Sequence, residues 1–374
     1  MLRLNSGTAL GCSAGQRPAP FQMFSRGNIF PRVWLCFEPI KKWGGVLSKK
    51  IRSTERGGQG SITLKFLDIA IAFGLALVIP LLKLFTRVGS GRLPKSREFL
   101  KSHGVWPVTD HYYQPLFNDA HLRKPLTEPR QLPGIDWQHE AQVSLLGSLR
   151  YSDEIASLHW SATPQNDLDF NITNGSFESG DADFLYAFIR HFKPKRVFEI
   201  GSGQSSKVAH AALARNEQDS GQPFEHVCVE PFEAPWLERL GVKTVRRRVE
   251  DVGIDLFSQL EADDLLFIDS SHVIRPQGDV LFEYLELLPT LASGVFVHVH
   301  DIFSPRDYSD QLIRERVLMW NEQYLLETLL SNTDRYQVVA ALNYLHHSDY
   351  LKLKSVCPWL TPDREPGSFY LRVK

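Results

Sequence analysis

Arg196-Val-Phe-Glu-Ile-Gly-Ser-Gly-Gln-Ser-Ser206 is the stretch on which the fold of this chain turns. Val197 to Ile200 is an apolar, β-branched run carrying one acid, Glu199; it stops at Gly201 and Gly203, and a helical pattern begins near Ser205. The pattern predicts strand, tight glycine turn and helix. Two glycines leave no Cβ to hold a ligand off the backbone, and a helix N-terminus presents unpaired N–H groups to a polar cofactor. The turn therefore reads as a nucleotide-type site.

Dinucleotide-binding folds usually carry a third glycine, G-x-G-x-x-G, because a pyrophosphate lies against the helix and the helix packs close to the strand. Here that position is Ser206, and Glu199 would sit badly beside a pyrophosphate while suiting a cofactor with a cationic amino group and a sulfonium. The stretch resembles motif I, E/D-x-G-x-G, of the class I S-adenosylmethionine-dependent methyltransferases. The resemblance covers about 175–374. It implies an α/β, Rossmann-like sheet of seven strands, mostly parallel with the last antiparallel, and contact of Glu199, Gly201, Ser202, Gly203 and Ser205 with S-adenosylmethionine.

Outward from the turn, His226-Val-Cys-Val-Glu230 predicts a second strand ending in a carboxylate before Pro231. A carboxylate there accepts from both ribose hydroxyls, a device that NAD-binding folds share. Val242 to Val249 predicts a third strand, followed by Glu250 and Asp251. In the family that the chain resembles, an acid at this place accepts from the adenine amino group; spacing does not choose between the two. Asp264-Leu-Leu-Phe-Ile-Asp269-Ser-Ser-His272 predicts a fourth strand covered on both faces, and Gly294-Val-Phe-Val-His-Val-His300-Asp301 a fifth. Strand carboxyl ends in an open α/β sheet converge on one crevice, so Asp269, His272, His300 and Asp301 are expected beside the cofactor. Acids at these two strand ends resemble the divalent-cation site of metal-dependent O-methyltransferases. The resemblance implies that Asp269 and Asp301 hold an ion such as Mg2+ or orient a base, His272 or His300. His298, on the His300 face by period two, is expected to be a hydrogen-bonded core histidine. Tyr336 to Leu345 and Ser368 to Lys374 predict strands six and seven.

Asp181 is expected to cap a helix carrying Phe184, Leu185, Phe188 and Ile189. The loop ahead of it makes Asn174, Gly175 and Ser176 candidates for the methionine end of the cofactor, although a turn-forming Asn-Gly needs no ligand. Residues 89–174 read as a helical and irregular extension over the core, with a helix predicted over Ile135 to Trp160. His111, Tyr112 and Tyr113 would line a substrate pocket or simply pin a loop.

Residues 1–60 are rich in Gly, Ser, Pro, Arg and Lys with no acid before Glu38, and are expected to be a disordered basic leader; a transit peptide or an upstream start ahead of Met23 gives the same composition. Ile62 to Phe85 contains the apolar run Ile69 to Leu82, which reaches spanning length only if Lys65, Asp68 and Lys83 are tolerated near its ends. The run is expected to attach the chain to a membrane, spanning it or re-entering at Pro80. Basic residues flank both ends, so charge does not set topology; a cytoplasmic catalytic domain follows from where the cofactor is made.

At 374 residues and 43% hydrophobic content the chain has material for one large core and an appendage, and a net charge of -1 argues against nucleic-acid binding. The four cysteines match no disulfide or metal framework. Asp269-Ser-Ser-His272 and His298-Val-His-Asp-Ile-Phe303 resemble the methyltransferase group associated with glycan-modifying pathways, which implies O-methylation of a sugar or glycan intermediate. Two rivals stand beside this: an NAD(P)-dependent oxidoreductase with His300 as proton donor, and a catalytically silent, membrane-tethered nucleoside-binding scaffold.

Overall fold

The computed structural model describes residues 59–374 apart from 112, 117, 162 and 233, and side chains from Thr63 onward with 119 also excepted. The leader expected over 1–60 lies outside them but for its last two residues, as does Tyr112. The chain divides into two units, Met1–Pro107 and Val108–Lys374.

In the first unit, Gln59–Val88 is one helix of 30 residues that continues through Pro80. Its Thr63–Val88 stretch is long and apolar enough to cross a bilayer. Apolar side chains project all round it: Phe66 is 70% exposed, Phe73 72% and Leu81 67%.

The second unit is built on a seven-stranded sheet: β1 (Arg196–Ile200), β2 (Glu225–Val229), β3 (Lys243–Val245), β4 (Leu265–Ile268), β5 (Phe296–Val299), β6 (Tyr336–Ala341) and β7 (Phe369–Val373). The order is β3-β2-β1-β4-β5-β7-β6, with β7 antiparallel to both neighbours and the rest parallel. Period-two alternation divides the core. Val197, Leu265, Phe267, Phe296 and Tyr370 face a cluster under the helices Asp181–Phe192 and Gln204–Ser220. Phe198, Leu266, Ile268, Val297 and Leu371 face a second cluster, which includes Leu326 and Leu330 of the helix Glu322–Asn332. Continuous apolar strands are what two covered faces require.

Several boundaries differ from the sequence expectation. Ile135 to Trp160 forms two short helices, His139–Ser148 and Ser152–Ala156, because Leu149 takes extended backbone and is buried. The third strand ends at Val245, where Arg246 turns its guanidinium onto the carbonyls of Glu230 (3.1 Å) and Ala234 (3.0 Å). The sixth passes into the helix Leu342–Ser348. Gly180, not Asp181, is the cap residue of the helix Asp181–Phe192, and Asp183 accepts from the Gly180 N–H (3.0 Å), which frees Asp181 for the site.

Candidate active site

Register places the site. Ile200 pairs with Val229 and with Ile268, and Ile268 with Val299, so these four share one row. Gly201, Glu230, Asp269 and His300, the next residue of each strand, make the row beyond it, at the carboxyl edge of the sheet.

Gly201 has φ +76, and a Cβ there would lie 1.8 Å from the Asp269 carbonyl oxygen, so only glycine lets the turn close against β4. Gly203 differs: a Cβ on it would meet no protein atom within 4 Å, because it faces a cavity. That cavity, about 610 Å3, is lined by the turn from Gly201 to Ser205, by Glu230 and Phe232, by Glu250, and by Asp269. Glu230 accepts from the Ser202 N–H (3.2 Å) and the Phe232 N–H (2.8 Å), which aims its carboxylate across the turn. Glu250 reaches the cavity wall and Asp251 does not.

Glu199 is a correction. It shares the β1 face of Val197, under the helix Gln204–Ser220, and its side chain does not line the cavity. The carboxylate is 1% exposed and accepts from Ser205 Oγ (3.1 Å), Ser206 Oγ (2.8 Å) and His226 Nε2 (2.5 Å). Burial works against a charged His226, yet Cys228 and Glu199 beside it raise its pKa to about 10. Glu199 thus locks the turn from beneath, and Ser205 spends its hydroxyl on that lock. In the loop before the helix Asp181–Phe192, Gly175 and Ser176 line a cavity, while Asn174 accepts from the N–H groups of Ser176 and Phe177 (2.9 Å each) and only shapes the turn.

A second cavity of about 670 Å3 continues from Asp269, with His300 and Asp301 in its lining. Asp269 and Ser176 belong to both. Around Asp269 the four expected residues meet. His272 Nε2 lies 3.2 Å from Asp269 and 3.5 Å from Asp301; His300 Nδ1 lies 3.5 Å and 3.8 Å from the same two acids. His272 and Asp301 hold left-handed backbone, φ 60 and 57, without being glycine, and such strain persists where surrounding structure enforces it. The His272 carbonyl accepts from the N–H groups of Asn321 (2.9 Å) and Glu322 (3.2 Å).

Two carboxylates not anticipated from sequence complete the group. Glu322, fully buried, accepts from His272 Nδ1 (2.8 Å) and from the Tyr284 hydroxyl (3.1 Å), which leaves Nε2 to face the acids. Asp181 lies 3.8 Å from His300 Nε2 and accepts from Gly367 N (2.9 Å) and Ser368 Oγ (2.7 Å). Burial disfavours charge on both imidazoles, but the surrounding carboxylates outweigh it and raise their pKa values well above the ordinary histidine range. Burial raises Asp301, whereas at Asp269 it is overcome by His300 and His272, and that pKa falls. Both ring nitrogens of His300 are buried without a hydrogen-bond partner and face acids. One donor atom each from Asp269, His272 and Asp301 lies within 4.8 Å of the others, close enough to hold one cation. His298 is also buried, but its nitrogens have no partner: it stacks on Tyr370 at 4.1 Å, and burial holds it neutral, so the hydrogen bond expected of it is absent.

Residues 198–302 match a family model described as a methyltransferase domain, a span that holds the glycine turn, Glu230 and the Asp269, His272, His300 and Asp301 group. The chain is 28% identical to an uncharacterized protein of Archaeoglobus fulgidus over 164 residues, 40% of this chain and 72% of the relative. The plantazolicin methyltransferase BpumL, in complex with a pentazolic desmethylPZN analog and SAH, is similar at 11% identity over 63% of this chain and 97% of its own, with a TM-score of 0.32. A second structure of it with SAH gives 12%, 63%, 95% and 0.29.

Proposed function

We propose that this methyltransferase-domain chain transfers a methyl group from S-adenosylmethionine to a hydroxyl of a sugar or glycan intermediate, held at a membrane by its apolar helix with the catalytic unit in the cytoplasm. The observation that carries the reading is the row at the sheet edge. It joins a glycine-floored cavity faced by Glu230 to a second cavity floored by Asp269, Asp301 and His300, with Asp269 common to both and His272 buried behind the two acids. Glu230 suits the ribose hydroxyls, Glu250 the adenine amino group, and the open space at Gly203 the methionine end.

When bound, S-adenosylmethionine supplies a methyl on a sulfonium; the protein's share is to place the hydroxyl and take its proton. Glu322 fixes the His272 tautomer so that Nε2 accepts that proton, and Asp269 and Asp301 hold the imidazole in place. Those carboxylates favour charged His272, so Nε2 becomes a base only when another positive charge, the sulfonium, stands against them. A cation on Asp269, His272 Nε2 and Asp301 would instead acidify the hydroxyl, with Nε2 then a ligand rather than the base, and this mixed carboxylate and imidazole set suits Mn2+ or a similar ion at least as well as Mg2+.

Calorimetric titration with S-adenosylmethionine, S-adenosylhomocysteine and NADH, with and without Mg2+ or Mn2+, tests the reading. Adenosyl ligands are expected to bind and NADH not, and Glu230→Ala to weaken S-adenosylhomocysteine at least about tenfold, the loss of one charged hydrogen-bonding group. Preference for NADH, or no binding of either, would overturn it.

A further inference from the structure

The second cavity carries a charge that the protein does not answer. The acids on its wall are engaged internally: Asp181, Asp269 and Asp301 face His300 or His272, Asp307 lies 3.1 Å from Arg130 Nε and Asp310 2.6 Å from Arg314, and Glu365 accepts from Asn343 Nδ2 (3.2 Å). Asp363, at the rim, is exposed. Arg364 approaches Glu178 at 3.5 Å and Asp181 at 3.6 Å. Arg306 has no such partner. It is half-buried in the cavity wall, its one side-chain bond runs from Nε to the Thr127 carbonyl (2.8 Å), and among the described residues no carboxylate lies within 4.0 Å of its guanidinium. Burial lowers its pKa, and Glu365 stands too far off to restore it. Arg316, exposed on the same wall, forms no ion pair among the described residues either.

A half-buried guanidinium tied by Nε keeps both terminal nitrogens for a ligand, and their planar edge matches a carboxylate or phosphate in two-point contact. We infer that the methyl acceptor is anionic: its carboxylate or phosphate seats on Arg306, with Arg316 at the rim, while its reacting hydroxyl lies at Asp269 and Asp301. The inference rests on the methyltransferase reading and narrows its acceptor to an acidic sugar, a uronate or a sugar phosphate. Trp320, in the same lining and packed on the His272 ring at 4.4 Å, offers the apolar surface on which a sugar ring rests.

The test uses the full chain saturated with S-adenosylhomocysteine, which occupies the glycine turn so that anions cannot bind there. Glucose, glucuronate, glucose 1-phosphate and inorganic phosphate are titrated by calorimetry and ligand-observed NMR. At least one oxyanion probe is expected to bind tenfold or more tighter than glucose, and the carboxylate and phosphate arms identify which group is preferred. In Arg306→Gln that preference is expected to fall below threefold, with S-adenosylhomocysteine affinity within twofold of wild type. Should that variant misfold, Arg316→Gln, whose side chain is exposed, is expected to lose about threefold. Equal binding of glucose and the anions, no anion binding, or a preference that survives Arg306→Gln overturns the inference while cofactor binding stands. Wild-type chain that binds no S-adenosylhomocysteine overturns the methyltransferase reading beneath it as well.

Discussion

Glu199 and Glu230 stand near the carboxyl ends of neighbouring strands, and their environments set them to different work. Glu230 faces a cavity, whereas Glu199 is closed in by Ser205, Ser206 and His226. The His226 pKa is raised in the folded state to about 10, above its unfolded value near 6.5. Its contribution to stability is therefore complete below about pH 6.5 and is lost as pH rises through about 10. Thermal unfolding across that window is expected to show the decline in wild type and a much flatter profile in Glu199→Gln, which starts lower by roughly 3 kcal/mol for a buried charge left unpaired. At the other end of the site, His272→Asn is expected to reduce kcat about a hundredfold or more without changing S-adenosylhomocysteine affinity, as loss of a general base or ligand requires. Glu322→Gln, acting through His272, is expected to cost about tenfold and to move the pH profile of kcat, which a purely structural role would leave in place.

The element that organises the site is the turn between β1 and the helix Gln204–Ser220. Its two glycines serve different needs, and they make separable predictions. Gly201→Ala puts a methyl into the Asp269 carbonyl at positive φ and is expected to lower unfolding free energy by about 3 kcal/mol, read by denaturant titration. Gly203→Ala meets no protein atom, so it is expected to cost about 1 kcal/mol or less in stability and yet weaken S-adenosylhomocysteine at least tenfold by calorimetry. The strands themselves were readable from sequence because a covered parallel strand is a short apolar run that ends in a turn residue. The edge strand β3 was overdrawn for a related reason: Arg246, Arg247 and Arg248 permit extended backbone, but Arg246 is drawn away to local carbonyls. The helix over Ile135 to Trp160 was overdrawn because helical spacing does not reveal where a residue such as Leu149 leaves the helix for the core.

At the scale of the whole molecule, the two units present different surfaces to solvent. Val108–Lys374 buries its apolar strands under helices, whereas Thr63–Val88 exposes leucine, isoleucine and phenylalanine on every side. At about 1.5 Å per residue, the 26 residues of that stretch exceed a hydrocarbon core of about 30 Å. The full chain is expected to sediment with membranes and to resist alkaline extraction. Leu75→Asp with Leu77→Asp, each costing roughly 3 kcal/mol near a bilayer centre, is expected to release it while S-adenosylhomocysteine binding persists. Sedimentation of the double variant unchanged from wild type would contradict membrane attachment through this helix.

Local pattern was enough to establish the strand, glycine turn and helix unit, the acids and histidines at strand ends, and the antiparallel close of the sheet. These are properties of neighbours in sequence: apolar runs of strand length, punctuation by glycine, and a residue's position relative to its own strand's end. What lay beyond it were relations between segments far apart in the chain. Only the packed sheet turns Glu199 inward, chooses Glu250 over Asp251 for the cavity wall, and brings Asp181 under His300 and Glu322 behind His272. The same holds for Arg306, whose lack of a carboxylate depends on which acids Arg130 and Arg314 already occupy. The physical reason is that burial and pairing depend on strand order and on the faces that elements present to each other, and no local signal in the chain encodes either.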